Sequence, residues 1–303
     1  DGLINDFFDQ TPELDINLHR NLRNRIHNIY DKAVLLHSEQ YSREVELYQK
    51  NNFILVYYWC HAIIALDWFR YARHCKFNKN IQKTFLIYNR AWSGTREYRL
   101  KFADLLIDNN LVEDALTSIS FDSDNHYYKN YNFKNKLFVP CNHLENFYKQ
   151  NTAHSTYSAD FDVIDYENTL IEVVLETLFD DDRTHLTEKS LRPIACNQPF
   201  ILAATPGSLE YLKRYGFKTF NSVINESYDL EVDSQTRSKM IVQELKKFSA
   251  KSIDELKMIR EEMKEVCVHN KNLYNELYKV NYYNSDMSAK INNILNEVWS
   301  ELN

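Results

Sequence analysis

Short runs of apolar, β-branched and aromatic residues alternate with longer amphipathic segments over the first two thirds of the chain, the pattern of parallel strands joined by crossover helices. Val34–His37, Phe53–Trp59, Thr84–Tyr88 and Ala115–Ser120 read as strands, with helices predicted over about 61–74 and 96–108. From Phe121 to Ala159 the chain turns polar, and Pro140 is its single proline there. Leu170–Thr177 and Pro199–Ala204 read as two further strands, separated by a short helix over Thr187–Asn197. Thr205-Pro206-Gly207 reads as a turn, Ser208 as an N-cap, and Leu209–Tyr215 as a helix stopped by Gly216. Beyond Asp229, apolar residues such as Ile241, Leu245, Phe248, Leu256, Ile259 and Met263 recur at helical spacing. The amphipathic end, Ile291 to Leu302, is expected to pack back on the first half.

At roughly 100–200 residues per domain, 303 residues predict two βα domains. The divisions expected are 1–150, 151–285 and a terminal helix over 286–303. Composition is 44% hydrophobic and 26% charged, which excludes wholesale disorder, coiled coil and collagen. Glycine changes the picture more: four occur, against a usual share of about 7%. No glycine-rich phosphate loop of the P-loop or dinucleotide type can be written with so few. Phe53–Phe69, the most apolar stretch, is interrupted by His61 and Asp67, so no membrane span is expected. Residues 1–17 lack the basic and apolar regions of a signal peptide. Five scattered cysteines without a CxxC pair are expected to be reduced and mostly buried, as in a cytoplasmic protein.

Candidate chemistry gathers just after the predicted strands, where open α/β sheets bind ligands. Arg90, Arg96 and Arg99 fall within ten residues of one strand–helix junction, and guanidinium forks beside a helix N-terminus suit a pyrophosphate. The alternative is a set of helix-surface arginines. In His185-Leu186-Thr187-Glu188-Lys189-Ser190-Leu191-Arg192-Pro193, Thr187 caps a helix whose start can also receive phosphate oxygens, Lys189 adds a point charge and Glu188 can accept from ribose hydroxyls. His37 and Glu39 end the first strand, where a carboxylate or imidazole can act as a general base; alternatively Ser38 caps a helix and Glu39 rides its first turn. His61 and Asp67 share a helix with Trp68, Arg70 and His74, as acceptor contacts or as structural residues. Asp122-Ser123-Asp124 and Asp180-Asp181-Asp182 have the spacing of a divalent-metal site, but such triplets are common in an acidic chain.

Leu186–Phe220, with its Thr-Glu-Lys helix start before a Pro-Phe-Ile strand, resembles the donor-binding region of GT-B-fold glycosyltransferases related to the fucosyltransferase-like family. Tyr88-Asn89-Arg90 through Arg96 and Arg99 is similar to the Asn-Arg…Arg stretch of that group. The Asp67–Ala72 helix and the Glu226-Ser227-Tyr228-Asp229 ending are similar to chains found in T4-like bacteriophages, some of which glycosylate hydroxymethylated bases in their own DNA. The resemblance covers about residues 33–229. It implies two Rossmann-like domains facing a cleft: an acceptor-side domain over 1–150 and a nucleotide-sugar domain over 151–285. It further implies a UDP- or GDP-type sugar donor, with Arg90 and Lys189 on the diphosphate, Glu188 on the ribose, and Arg96, Arg99, Thr187 and Arg192 alongside. Metal is not required in this reading, because cations and a helix N-terminus stabilise the leaving diphosphate. Glu39 is the expected base, with His37, His61 and Asp67 on the acceptor side. A hydroxymethylpyrimidine in DNA is one acceptor expected of this kinship. The net charge of −7 opposes it, while Lys76, Lys79 and Lys83 with Arg70 and Arg73 offer a basic patch. A surface or lipid-linked glycan, or a nucleotide-binding module without catalysis, are the alternatives.

Overall fold

The structure is a computed structural model and describes residues 20–22, 24–25, 28–29, 33–37, 39–42, 54–58, 65–123, 126–148, 153–155 and 160–282. All six predicted strands form. Strand β1 (Ala33–His37) pairs in parallel with β2 (Ile54–Tyr58). Strands β3 (Lys83–Tyr88) and β4 (Ala115–Ser118) precede a small antiparallel pair, β5 (Asp122–Ser123) and β6 (His126–Tyr127). Strands β7 (Thr169–Leu175) and β8 (Phe200–Ala203) follow.

Strands β3, β4, β7 and β8 make one parallel sheet in the order β4-β3-β7-β8. Phe85 lies opposite Ile171 and Leu86 opposite Glu172, so strands on either side of residue 150 are direct neighbours. Segments 83–118 and 169–203 are therefore one sheet, where the sequence pattern predicted one sheet in each half. All seven residues of β7 are buried, as a central parallel strand covered on both faces requires.

The helices are α1 (Tyr98–Asp108), α2 (Leu144–Phe147), α3 (Val163–Asn168), α4 (Glu188–Ala195), α5 (Ser208–Arg214), α6 (Ser234–Ser249) and α7 (Ile253–Tyr282). The helix expected over 61–74 is a 3-10 helix spanning Ala65–Arg73. Ser208 is not the N-cap of α5. Gly207, at φ +78°, takes that position, and the Ser208 hydroxyl donates to the Thr205 carbonyl at 2.6 Å. The terminal helix expected over 286–303 lies outside the described residues.

Scarce glycine has a structural counterpart at helix ends. Asn110 and Asn197 both adopt φ +56° just past α1 and α4. The amides of Asn197 and Gln198 return to the carbonyls of Ile194 and Pro193, and those of Asn110 and Leu111 to Ile107 and Leu106. Each set is the paired-bond helix stop that glycine usually supplies and that asparagine tolerates.

Period-two alternation sorts the sheet residues between two faces. Ile87 and Leu175 share a small cavity with Phe102 and Leu106 of α1, and α1 in turn packs on α6. Leu86, Tyr88 and Glu172 face the other side, where α4 packs against the 65–73 helix and α7. Phe77, Tyr88, Phe161 and Tyr166 meet there edge to face. No helix among the described residues is long and apolar enough to cross a membrane. Cys196 and Cys267 are buried free thiols, whereas Cys141 is exposed.

Candidate functional site

The chain runs from β3 to β4 on one side and later places β7 on the other, so the strand order reverses between β3 and β7. Open parallel sheets bind ligands outside the carboxyl ends of the strands at that point. Here the loop 89–97 leaves β3 and the loop 176–187 leaves β7.

Glu176, the first residue after β7, organises this end, and sequence reasoning did not single it out. Its buried carboxylate accepts from the Thr187 amide at 3.0 Å, the Thr187 hydroxyl at 2.6 Å and the Ser190 hydroxyl at 2.5 Å. It thereby ties the start of α4 to the end of β7, and a carboxylate there also suits the positive end of the helix. The signal available in the sequence was an acidic residue closing an otherwise apolar run. Thr187 caps α4 as expected, accepting from the Lys189 amide.

Arg99 does not face a ligand. Its guanidinium donates to the carbonyls of Ala91 at 2.6 Å, Leu175 at 2.7 Å and Glu176 at 3.0 Å, and the residue is buried. The planar fork bridges the loop after β3 to the end of β7, and Tyr98 adds a bond from its hydroxyl to the Glu176 carbonyl at 2.6 Å. Arg192 is likewise enclosed, its Nε donating to Glu172 at 3.0 Å and its face lying 4.6 Å from the Tyr88 ring centre. Both arginines are corrections to the expected donor set: the fold's own acceptors occupy them. Glu188 is buried and bonded to Lys189.

Lys189, too, is engaged by groups of the fold, whereas Arg90 is exposed. The Lys189 ammonium reaches Thr187 Oγ1 at 3.0 Å, Glu188 Oε1 at 2.9 Å and Thr177 Oγ1 at 3.4 Å, between the β7 loop and α4, with its side chain 12% exposed. Arg90 is exposed two residues beyond β3, and Arg96 is half-buried in the 3-10 turn Gly94–Arg96.

Glu39 is buried and ion-paired with Arg183 at 3.2 Å. The next residue, Gln40, forms an antiparallel bridge with Thr184, with N–H to carbonyl distances of 3.0 and 3.1 Å. The segment 39–42 is thus fastened to the loop after β7. A cleft of about 630 Å³ opens there, walled by Tyr41, Asp180–Thr184, Thr205, Pro206, Val232 and Arg237. A second cleft, about 420 Å³, lies between Gly94–Glu97 and Lys134–Lys136 and shares Asp180 and Asp181 with the first. Together they run along the carboxyl end of the sheet from the β3 loop to the β8 loop.

His37 ends β1 opposite Tyr58. Asp67 lies in the 65–73 helix, and His61 lies outside the described residues. Three of the five cations in the expected basic patch, Lys79, Lys83 and Arg73, are engaged by the fold. Lys79 is inserted among the carbonyls of Tyr166 and Thr169 and the Gln198 side chain, and burial, reinforced by Arg260, brings its ammonium down to about 7. Lys83 donates to the Glu113 carbonyl, and Arg73 lies 3.9 Å from the Tyr278 ring centre. Of the two acidic triplets, Asp124 lies outside the described residues. Asp180 accepts from Asn135 at 2.8 Å, and Asp181 from Arg183 at 2.6 Å.

One cluster escaped the sequence. His154, Asp162 and Asp165 place ligand-capable atoms within 4.8 Å of one another. The buried Asp165 carboxylate is already claimed by the Tyr88 hydroxyl at 2.7 Å, the His154 amide at 2.8 Å and the His154 ring. Nothing in the residue spacing foretold it, because Tyr88 and Asp165 are 77 positions apart.

Compared with protein-family models, with curated proteins and with solved structures, the chain matches none.

Proposed function

We propose that the chain is a metal-independent glycosyltransferase, built on a single α/β sheet among the described residues, that takes its sugar from a UDP- or GDP-type donor. The observation that carries the reading is Lys189, held by Thr177, Thr187 and Glu188 at the carboxyl end of β7 beside the strand-order reversal. A cation at that place is what a leaving diphosphate needs when no metal neutralises it. Exposed Arg90 at the end of the neighbouring strand supplies a second guanidinium for the same phosphates. Two clefts that share Asp180 and Asp181 open at the same end of the sheet, walled by other residues of these loops.

The test is a calorimetric screen of UDP- and GDP-sugars. The expected result is saturable binding of one nucleotide-sugar that Lys189→Ala and Arg90→Ala abolish while the circular dichroism spectrum is retained. Normal donor affinity in both variants overturns the proposal.

A second reading, nucleotide capture without transfer, is favoured by Glu39, whose carboxylate is engaged by Arg183. Tight nucleotide-sugar binding with neither transfer nor hydrolysis would establish it.

A further inference from the structure

The larger cleft carries a chemistry of its own. Tyr41 stands in its wall with 64% of its surface exposed and a left-handed φ of +64°. The Gln40–Thr184 bridge on one side and the Glu39–Arg183 ion pair beside it fix the backbone that presents the ring. Tyr41 is the aromatic member of that lining among the described residues, and around it stand the carboxylates of Asp180, Asp181 and Asp182 and the hydroxyl of Thr205.

The charges there are unfavourable to a polyanion. Of the two guanidinium groups in the lining, Arg183 is spent on Asp181 and Glu39. Arg237 donates to the backbone carbonyls of Phe179, Glu231 and Val232. Asp180 already accepts from Asn135 and Asp181 from Arg183, but a carboxylate has lone pairs for further donors, and a duplex would bring one negative charge for about every 1.7 Å of its axis against them. A flat aromatic face beside several acceptors matches instead a neutral ring with an apolar face and a rim of hydroxyl donors.

We propose that this cleft is a subsite for a neutral hydroxylated sugar ring with Tyr41 as its stacking platform, and that the acceptor is therefore a carbohydrate rather than nucleic acid. The acceptor assignment rests on the glycosyltransferase reading; the sugar subsite does not.

Saturation-transfer NMR on the full chain, with the methyl glycosides of glucose, galactose, mannose and fucose and with glucosamine, tests it without any nucleotide present. The expected result is transfer to ring protons of at least one methyl glycoside. Tyr41→Phe should leave it intact, and Tyr41→Asn should weaken it roughly three- to tenfold, the contribution of one stacked ring. Asparagine is chosen because it tolerates the left-handed backbone, so the variant keeps its fold. No transfer to any glycoside, unchanged binding in Tyr41→Asn, or binding restricted to cationic glucosamine overturns the subsite. Fluorescent duplex DNA is titrated in parallel, and tight binding lost in Tyr41→Asn also overturns it. Adding the UDP- or GDP-sugar separates donor from acceptor: a persisting glycoside signal supports an acceptor ring, and displacement overturns that assignment. If glycosides bind and no nucleotide-sugar does, the transferase reading fails while the subsite stands.

Discussion

Arg192 and Glu172 form an ion pair sealed between α4 and the central strand, with Nη2 2.5 Å from Oε1 and side chains 2% and 0% exposed. The second carboxylate oxygen accepts from the Tyr166 hydroxyl. Burial pushes the Glu172 carboxyl up, against the pull of Arg192. The guanidinium stays charged, so the pair holds a register between helix and sheet at the expense of desolvation. Removing one partner strands the other: Glu172→Ala should cost about 3–5 kcal/mol in urea unfolding. The double change Glu172→Met with Arg192→Met should lose much less. Equal losses in the single and double variants would contradict this account.

Arg99 and Lys189 contrast a cation that bridges backbone carbonyls with the one to which the proposed function gives the donor phosphates. Arg99→Lys replaces a fork that bridges three carbonyls by a point charge and should destabilise the fold by about 1–3 kcal/mol. Lys189→Ala removes the partner of the buried Glu188 carboxylate and so also costs stability, about 1–3 kcal/mol, but it alone of the two should remove donor binding. Calorimetry and denaturant titration on the same two proteins check both halves of the contrast.

Asp229 caps α5, accepting from the Leu209 amide at 3.1 Å, and burial pushes its carboxyl up to about 6 from the ordinary 3.8. The folded chain then holds this proton more tightly than the unfolded chain does. Its contribution to stability is complete below about pH 4 and is lost as pH rises through 6, a change on the order of 3 kcal/mol. Asp229→Asn should flatten the stability profile across that window, measured by urea midpoints from pH 4 to 8.

His154 is drawn above its usual 6.5 by the hydrogen bond and charge of Asp165. The His154–Asp165 contact is therefore fully stabilising below pH 6.5 and fades as pH rises through the raised value. Proton NMR of the ring should give a midpoint above 6.5 that falls in Asp165→Asn; an unshifted midpoint in the parent chain would refute the contact.

The strands were legible because each is an apolar or β-branched run closed by a polar residue, and their bounds agree within two residues. Thr187 was legible for the same local reason, a threonine before a charged first turn. Pairing was not. Whether Phe85 lies beside Ile171 depends on contacts 86 positions apart, and nothing in a period-two pattern says which strand is the neighbour. Arg99 and Arg192 misled for a related reason. A guanidinium after a strand looks alike whether its acceptors are phosphate oxygens or distant backbone carbonyls, and the apolar segment around each gives no sign of which. Glu176 escaped because a carboxylate at the end of a buried strand reads as the first residue outside it.

The adjacency of β3 and β7 also dictates the order in which the molecule can mature. A ribosome releases β3 and β4 long before β7, so one rim of β3 waits with unsatisfied amides and carbonyls while more than fifty further residues are made. Synthesis slowed within that interval exposes a sticky seam to other nascent chains, and truncation before Thr169 leaves it permanently open. Expression of such a truncated chain should yield aggregate, with recovery only once the sequence includes β8 and the helices that cover the sheet.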